Sequence, residues 1–162
     1  AVNLSDIAAM GGRPLWAFLS LAIPSETEIF WLDEFFRGWK KLSSKTGVEL
    51  LGGDTTRSLN NLVINVVILG EAEEKQIKYR SGARPGDLIA VTGNLGDSEG
   101  GLRLVLANKE NKTLSPEEKY LVRRHYLPRP HLEEGRFLAS RPEVTAMMDI
   151  SDGIDSDLRR IM

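Results

Sequence analysis

The chain has 162 residues and no cysteine, and its 21 Lys and Arg against 23 Asp and Glu leave a net charge of −2. Disulfides, thiolate metal sites and cysteine nucleophiles are excluded, and the near-neutral balance offers no basic field to nucleic acid or an anionic membrane surface. An apolar share of 41% suits a packed globular chain, while no apolar run approaches the ~20 residues that span a bilayer.

Leu4 to Met10 carries apolar residues at helical spacing and stops at Gly11-Gly12, which predicts a helix and its end. Asn3, Ser5 and Asp6 interrupt this apolar start and no basic leader precedes them, so no signal peptide is read and a reducing cytoplasm is expected. Leu15 to Ile23, dense in aromatic and branched residues, predicts a buried strand ending at Pro24. Ser25 with Glu28 has the spacing of a capping box for an amphipathic helix reaching Thr46, with Ile29, Leu32, Phe35, Phe36 and Trp39 on one side. Val48 to Leu51 then reads as a short strand, Gly52-Gly53-Asp54-Thr55-Thr56 as a turn rich in backbone donors, and Leu62 to Gly70 as a strand covered on both faces.

The charged stretch Glu71 to Gln76 and the Gly- and Pro-containing stretch after Tyr79 place a boundary near Lys78, giving units 1–78 and 79–162. In the second unit Leu88 to Thr92 is expected as a strand, followed by a helix opened by Gly93-Asn94-Leu95-Gly96-Asp97-Ser98 and running to Ala107. Asn108 to Thr113 reads as a polar loop. Ser115-Pro116-Glu117-Glu118 begins a helix that Pro128 and Pro130 interrupt, and His131 to Ser140 forms another. Thr145 to Met148 is expected as a strand, with a last helix starting at Ser151-Asp152-Gly153. The mixed order predicts an α/β (α+β) fold, with two subdomains of mixed sheet covered by helices. The chain opens inside one patterned segment and closes inside another, as an internal piece of a longer protein would.

Three separated segments place Asp beside glycine and small hydroxyl residues: Asn3-Leu4-Ser5-Asp6, Gly52 to Thr56, and Asp149-Ile150-Ser151-Asp152-Gly153 with Asp157 one turn on. Taken singly, each has a plainer role, as a solvated helix residue, a turn and a helix cap. Together they are the donor set that a hard divalent cation and a phosphate require, because carboxylates gathered in one place repel unless cations hold them. Gly93 to Ser98 could likewise set a phosphate at a helix N-terminus or merely turn and cap the chain; it is neither a Walker loop nor a dinucleotide fingerprint. His125 and His131 share no ligand spacing and read as surface or packing residues.

These four segments, in this order, resemble the bacterial thiamine-monophosphate kinase family, within the superfamily of aminoimidazole ribonucleotide synthetase. The carrying residues are Val2 to Gly11, Gly52 to Arg57, Val91 to Ser98 and Met148 to Gly153. The resemblance implies in-line transfer of the γ-phosphoryl group of ATP to thiamine monophosphate, with no protein nucleophile. It implies Mg²⁺ around Asp6, Asp54, Asp149 and Asp152, nucleotide contacts at Gly53, Asp54, Thr55, Asp97, Ser98 and Ser151, and a homodimer paired through the first unit's sheet. The family's Gly-Asp-Asp and Gly-Gly-Glu-Asp segments are not in this sequence, and Ser58, Ile154 and His131 replace its usual Gly, Leu and Arg. The competing expectations are a related ATP-dependent ribonucleotide synthetase, a selenophosphate synthetase-like enzyme, and a non-catalytic nucleotide-binding module.

Overall fold

The computed structural model describes residues 1–107 and 113–161; the expected polar loop from Asn108 falls outside them except for Thr113. Helix α1 (Val2–Ala9) buries Leu4 and Ala8, one turn apart on the same side. After Gly11-Gly12 the chain enters β1 (Arg13–Pro24), whose alternation is clear: Ala17, Leu19 and Leu21 are buried, and Trp16 and Phe18 on the opposite face are exposed. Helix α2 (Ile29–Thr46) ends at Gly47 and leads into β2 (Glu49–Ser58), followed by β3 (Val63–Glu71). The sheet has the order β2-β1-β3, with β2 parallel and β3 antiparallel to the central strand. Leu4, Ala17 and Val48 form the buried core, against which Trp39, Leu42 and Ile68 pack.

Five local expectations differ from the structure. The Ser25–Glu28 box is not made: Glu28 is the N-cap without a side-chain bond, and Ser25 instead donates to Glu26. Gly52 to Thr56 is not a turn but the middle of β2, where ladder bonding to β1 overrides the turn preference of the glycines. Strand β3 is not covered on both faces, since it is an edge strand with Val63, Ile64, Val67 and Leu69 exposed. Neither Leu88 to Thr92 nor Thr145 to Met148 forms a strand, because no neighbouring strand supplies ladder bonds there among the described residues. The mixed α/β class itself is observed.

The later half is helical: α3 (Asp97–Leu106), α4 (Pro116–Tyr126), α5 (Leu132–Ala139) and the short α6 (Ile154–Leu158). At the start of α4 the Ser115 hydroxyl accepts the Glu118 N–H at 3.2 Å while the Glu118 carboxylate accepts the Ser115 N–H at 3.0 Å. Ser115→Ala is expected to cost about 1 kcal/mol, a fall in Tm of roughly 2–4 °C in a thermal melt.

The two halves meet along a seam of small residues. A Cβ on Gly135 of α5 would stand 2.3 Å from the Ala8 carbonyl oxygen of α1, and one on Gly11 would stand 2.2 Å from the Ala139 Cβ. Nearby, Lys78 donates to the Arg141 carbonyl at 3.0 Å, and Asp87 accepts the Thr145 hydroxyl at 2.6 Å. That bond comes first, ahead of the Arg84 N–H, in holding the Asp87 carboxyl below its ordinary range. No described helix is long and apolar enough to cross a membrane.

Candidate functional site

The acidic loop before α6 is shaped from behind by one carboxylate. Asp157 is the largest fully buried side chain among the described residues, at 1% exposure. Its Oδ2 accepts the N–H groups of Ser151 at 2.9 Å and Asp152 at 3.0 Å. Its Oδ1 accepts from Arg160 at 3.0 Å, and the other terminal nitrogen of the same guanidinium reaches Asp152 Oδ2 at 2.8 Å. A buried carboxylate persists when its lone pairs are taken up in this way. The consequence is a loop that presents Asp149, Ser151 and Asp152 on a fixed backbone.

Asp149 stands at the crowded end. Burial raises its carboxyl above the ordinary range, the nearby negative charge of Asp6 raises it further, and Asp157 adds to this. Its own backbone N–H and the Arg80 guanidinium oppose the shift without cancelling it. Asp6 lies on α1, on the side away from buried Leu4 and Ala8, so the first and last acidic segments converge although 143 positions separate Asp6 from Asp149. Arg80, in the 3₁₀ turn Arg80–Gly82, is a site neighbour the sequence did not single out, since only the fold brings it to Asp149.

The other candidates are placed differently. Asp54 sits within β2 opposite Ser20 of β1 and is exposed, with Gly53 before it and Thr55 after it in the same ladder. Gly53 has φ +155°, and a Cβ there would lie 1.7 Å from the Leu19 carbonyl oxygen. Its missing side chain is therefore demanded by the neighbouring strand, whatever else the glycine does. Among the described residues no three Asp, Glu, His or Cys side chains are grouped closely enough to hold a metal ion, so Asp54 and Asp152 do not join Asp6 and Asp149 in one cluster within this chain. Asp152 is engaged by Arg160 instead.

Asp97 and Ser98 open α3, but their side chains are turned to α4. Asp97 Oδ2 accepts the Tyr120 hydroxyl at 2.7 Å and has the Arg124 guanidinium at 3.7 Å, while Ser98 Oγ and His125 Nδ1 share a hydrogen bond of 3.2 Å. His131 pairs separately with Glu134 at 3.2 Å, and the two histidines share no site.

Residues 1–72 match the family described as AIR synthase related protein, N-terminal domain. Over 161 residues the chain is 40% identical to the thiamine-monophosphate kinase of Bacillus subtilis (strain 168), a match covering 99% of this chain and 49% of that protein. The chain is homologous to the thiamine-monophosphate kinases. It superposes on the crystal structure of thiamine monophosphate kinase from Aquifex aeolicus with a TM-score of 0.89 at 36% identity, covering 99% of this chain and 52% of that one. AaThiL complexed with AMPPCP and TMP matches with a TM-score of 0.91, also at 36% identity, over 99% of this chain and 50% of its own. The chain thus spans about half the length of the thiamine-monophosphate kinases it matches.

Proposed function

We propose that the protein carrying this chain is an ATP- and Mg²⁺-dependent kinase that converts thiamine monophosphate to thiamine diphosphate. The observation that carries this reading is the convergence of Asp6 on Asp149, joined to the whole-chain homology. Burial first, and then the Asp6 charge, disfavours the ionised form of Asp149, and a divalent cation beside the two carboxylates would favour it. Mg²⁺ takes one or two protein carboxylates and completes its shell with phosphates and water, so the Asp6–Asp149 pair fits the ion although no third carboxylate joins it among the described residues.

In this reading Asp6 and Asp149 meet Mg²⁺ directly, Asp152 and Asp54, which stand apart from that pair in this chain, would reach it with the nucleotide phosphates between them, and Gly53, Asp54, Thr55, Asp97, Ser98 and Ser151 lie toward the nucleotide. Bound Mg²⁺ would neutralise charge on the phosphates undergoing transfer. The protein's part is to place acidic groups on rigid backbone: a helix for Asp6, a strand for Asp54, and the Asp157-braced loop for Asp149, Ser151 and Asp152. No side chain here is assigned as a nucleophile, since phosphoryl transfer relies on positioning and charge neutralisation. A synthetase acting on a ribonucleotide, a selenophosphate synthetase-like enzyme and a non-catalytic module are less favoured, given a named kinase relative at 40% identity.

The same reading keeps the division near Lys78 and a cytoplasmic homodimer. Support for the dimer comes from the open sheet face, where Trp16 pairs with Leu69 and Phe18 with Val67, all four at least 37% exposed. Phe18→Glu should therefore convert a dimer to monomer in analytical ultracentrifugation of the full-length protein. For the reaction, full-length protein incubated with ATP, Mg²⁺ and thiamine monophosphate should yield thiamine diphosphate and ADP in equal amounts. Absence of both products, with the protein folded, overturns the proposal.

A further inference from the structure

We infer that Asp157 is a positioning residue which, together with Arg160, fixes the Asp149–Asp152 loop in the shape that takes a divalent cation. This holds only for the metal-dependent kinase proposed above. The geometry has two parts. One oxygen of a fully buried carboxylate gathers two successive N–H groups, those of Ser151 and Asp152, at 2.9 and 3.0 Å, which sets the backbone carrying the loop's three polar side chains. Its other oxygen anchors Arg160, and the far side of that guanidinium holds Asp152 Oδ2 at 2.8 Å, which sets the direction of one candidate ligand. A planar fork is required for this, because two acceptors on different residues are bridged by two nitrogens of fixed separation.

Asp157 does not itself face the cation, since its oxygens are taken up and its side chain is buried. It acts through the loop, as outer partners of metal ligands do, and loss of such partners lowers metal affinity about 10–100-fold. Asn at this position keeps the shape and one acceptor oxygen but turns an N–H₂ toward either the two backbone donors or Arg160.

The test is Mn²⁺ binding to the full-length protein, with ATP present, followed by electron paramagnetic resonance, alongside circular dichroism and a melt of the metal-free protein. Asp157→Asn should keep the fold yet weaken Mn²⁺ binding about 10–100-fold, and should raise the metal concentration for half-maximal rate more than it lowers kcat. Arg160→Lys keeps the charge, removes the fork, and lies at a side chain 48% exposed, so it decides the matter if Asp157→Asn does not fold. Weakened Mn²⁺ binding in a folded Arg160→Lys supports the positioning role. A folded Asp157→Asn that binds Mn²⁺ as wild type does overturns it, as does an unchanged Arg160→Lys where Asp157→Asn is unfolded. Wild-type protein that binds no Mn²⁺ overturns the kinase proposal together with this one.

Discussion

Asp149→Asn in the full-length protein is expected to lower kcat by about 10³-fold while leaving the metal-free protein slightly more stable than wild type. The loss follows from the role proposed for the carboxylate: charge stabilisation through a bound metal supplies several kcal/mol to the transition state, and about 4 kcal/mol corresponds to that factor. The gain follows from the raised carboxyl. Because burial and then Asp6 lift the folded-state value above that of the unfolded chain, folding is favoured while Asp149 is protonated. That advantage drains away as pH rises from the unfolded carboxyl value through the raised folded one, and at neutral pH the ionised group is a net liability. Asparagine carries no such liability, so the metal-free variant should melt above wild type at pH 7, and the difference should close in acid. Saturating Mg²⁺ and ATP should reverse the order, since only the wild type gains the full stabilisation of binding. Melts of both proteins across pH 3–8 give the first result and steady-state assays the second. Equal kcat in the two proteins would remove Asp149 from the site.

Gly53→Ala should unfold the sheet or cost more than about 4 kcal/mol, well outside the usual range for a single substitution. Two independent faults coincide there. The backbone at φ +155° is one that L side chains rarely adopt, and the new Cβ would lie 1.7 Å from the Leu19 oxygen and 2.5 Å from its carbonyl carbon. Both atoms belong to the central strand, which is hydrogen-bonded on each side and has no room to retreat. Gly52→Ala is the internal control, because nothing lies within 4 Å of a Cβ at that position; its cost should stay within about 1 kcal/mol. Urea unfolding of the two variants reads the contrast directly. Similar midpoints for both would mean that β1 and β2 separate more readily than their ladder implies.

Much of this organisation was legible before any coordinates. The helical spacing from Leu4 to Met10, the Gly11 stop, the aromatic and branched density of Leu15 to Ile23, and the Ser115–Glu118 helix start are local signals, and local signals survive into the fold. Where tertiary partners decide, the reading failed. Gly52 to Thr56 reads as a turn because two glycines favour one and the overriding bonding from β1 leaves no local signal, and Leu88 to Thr92 reads as a strand because pattern alone cannot reveal a missing neighbour. For the site, the acidic segments were found by composition, and the structure brings Asp6 near Asp149 but does not gather Asp54 and Asp152 with them. The side chains beside them, Arg80 at Asp149 and the Tyr120 and His125 partners of Asp97 and Ser98, are separated by 23 positions or more in sequence and carry no short-range signature.

The small-residue contact between α1 and α5 bears on how such a molecule can move. Helices that touch through glycine and alanine backbones cannot slide or tilt past one another without immediate overlap, for no flexible side chain lies between them to absorb the shift. Asp6 rides on the first of these helices, and the polypeptide that carries Asp149 leaves the second only ten positions earlier. Any opening of the two halves for substrate exchange must either carry both carboxylates as one body or part that contact completely, an all-or-none choice in place of a graded breathing motion.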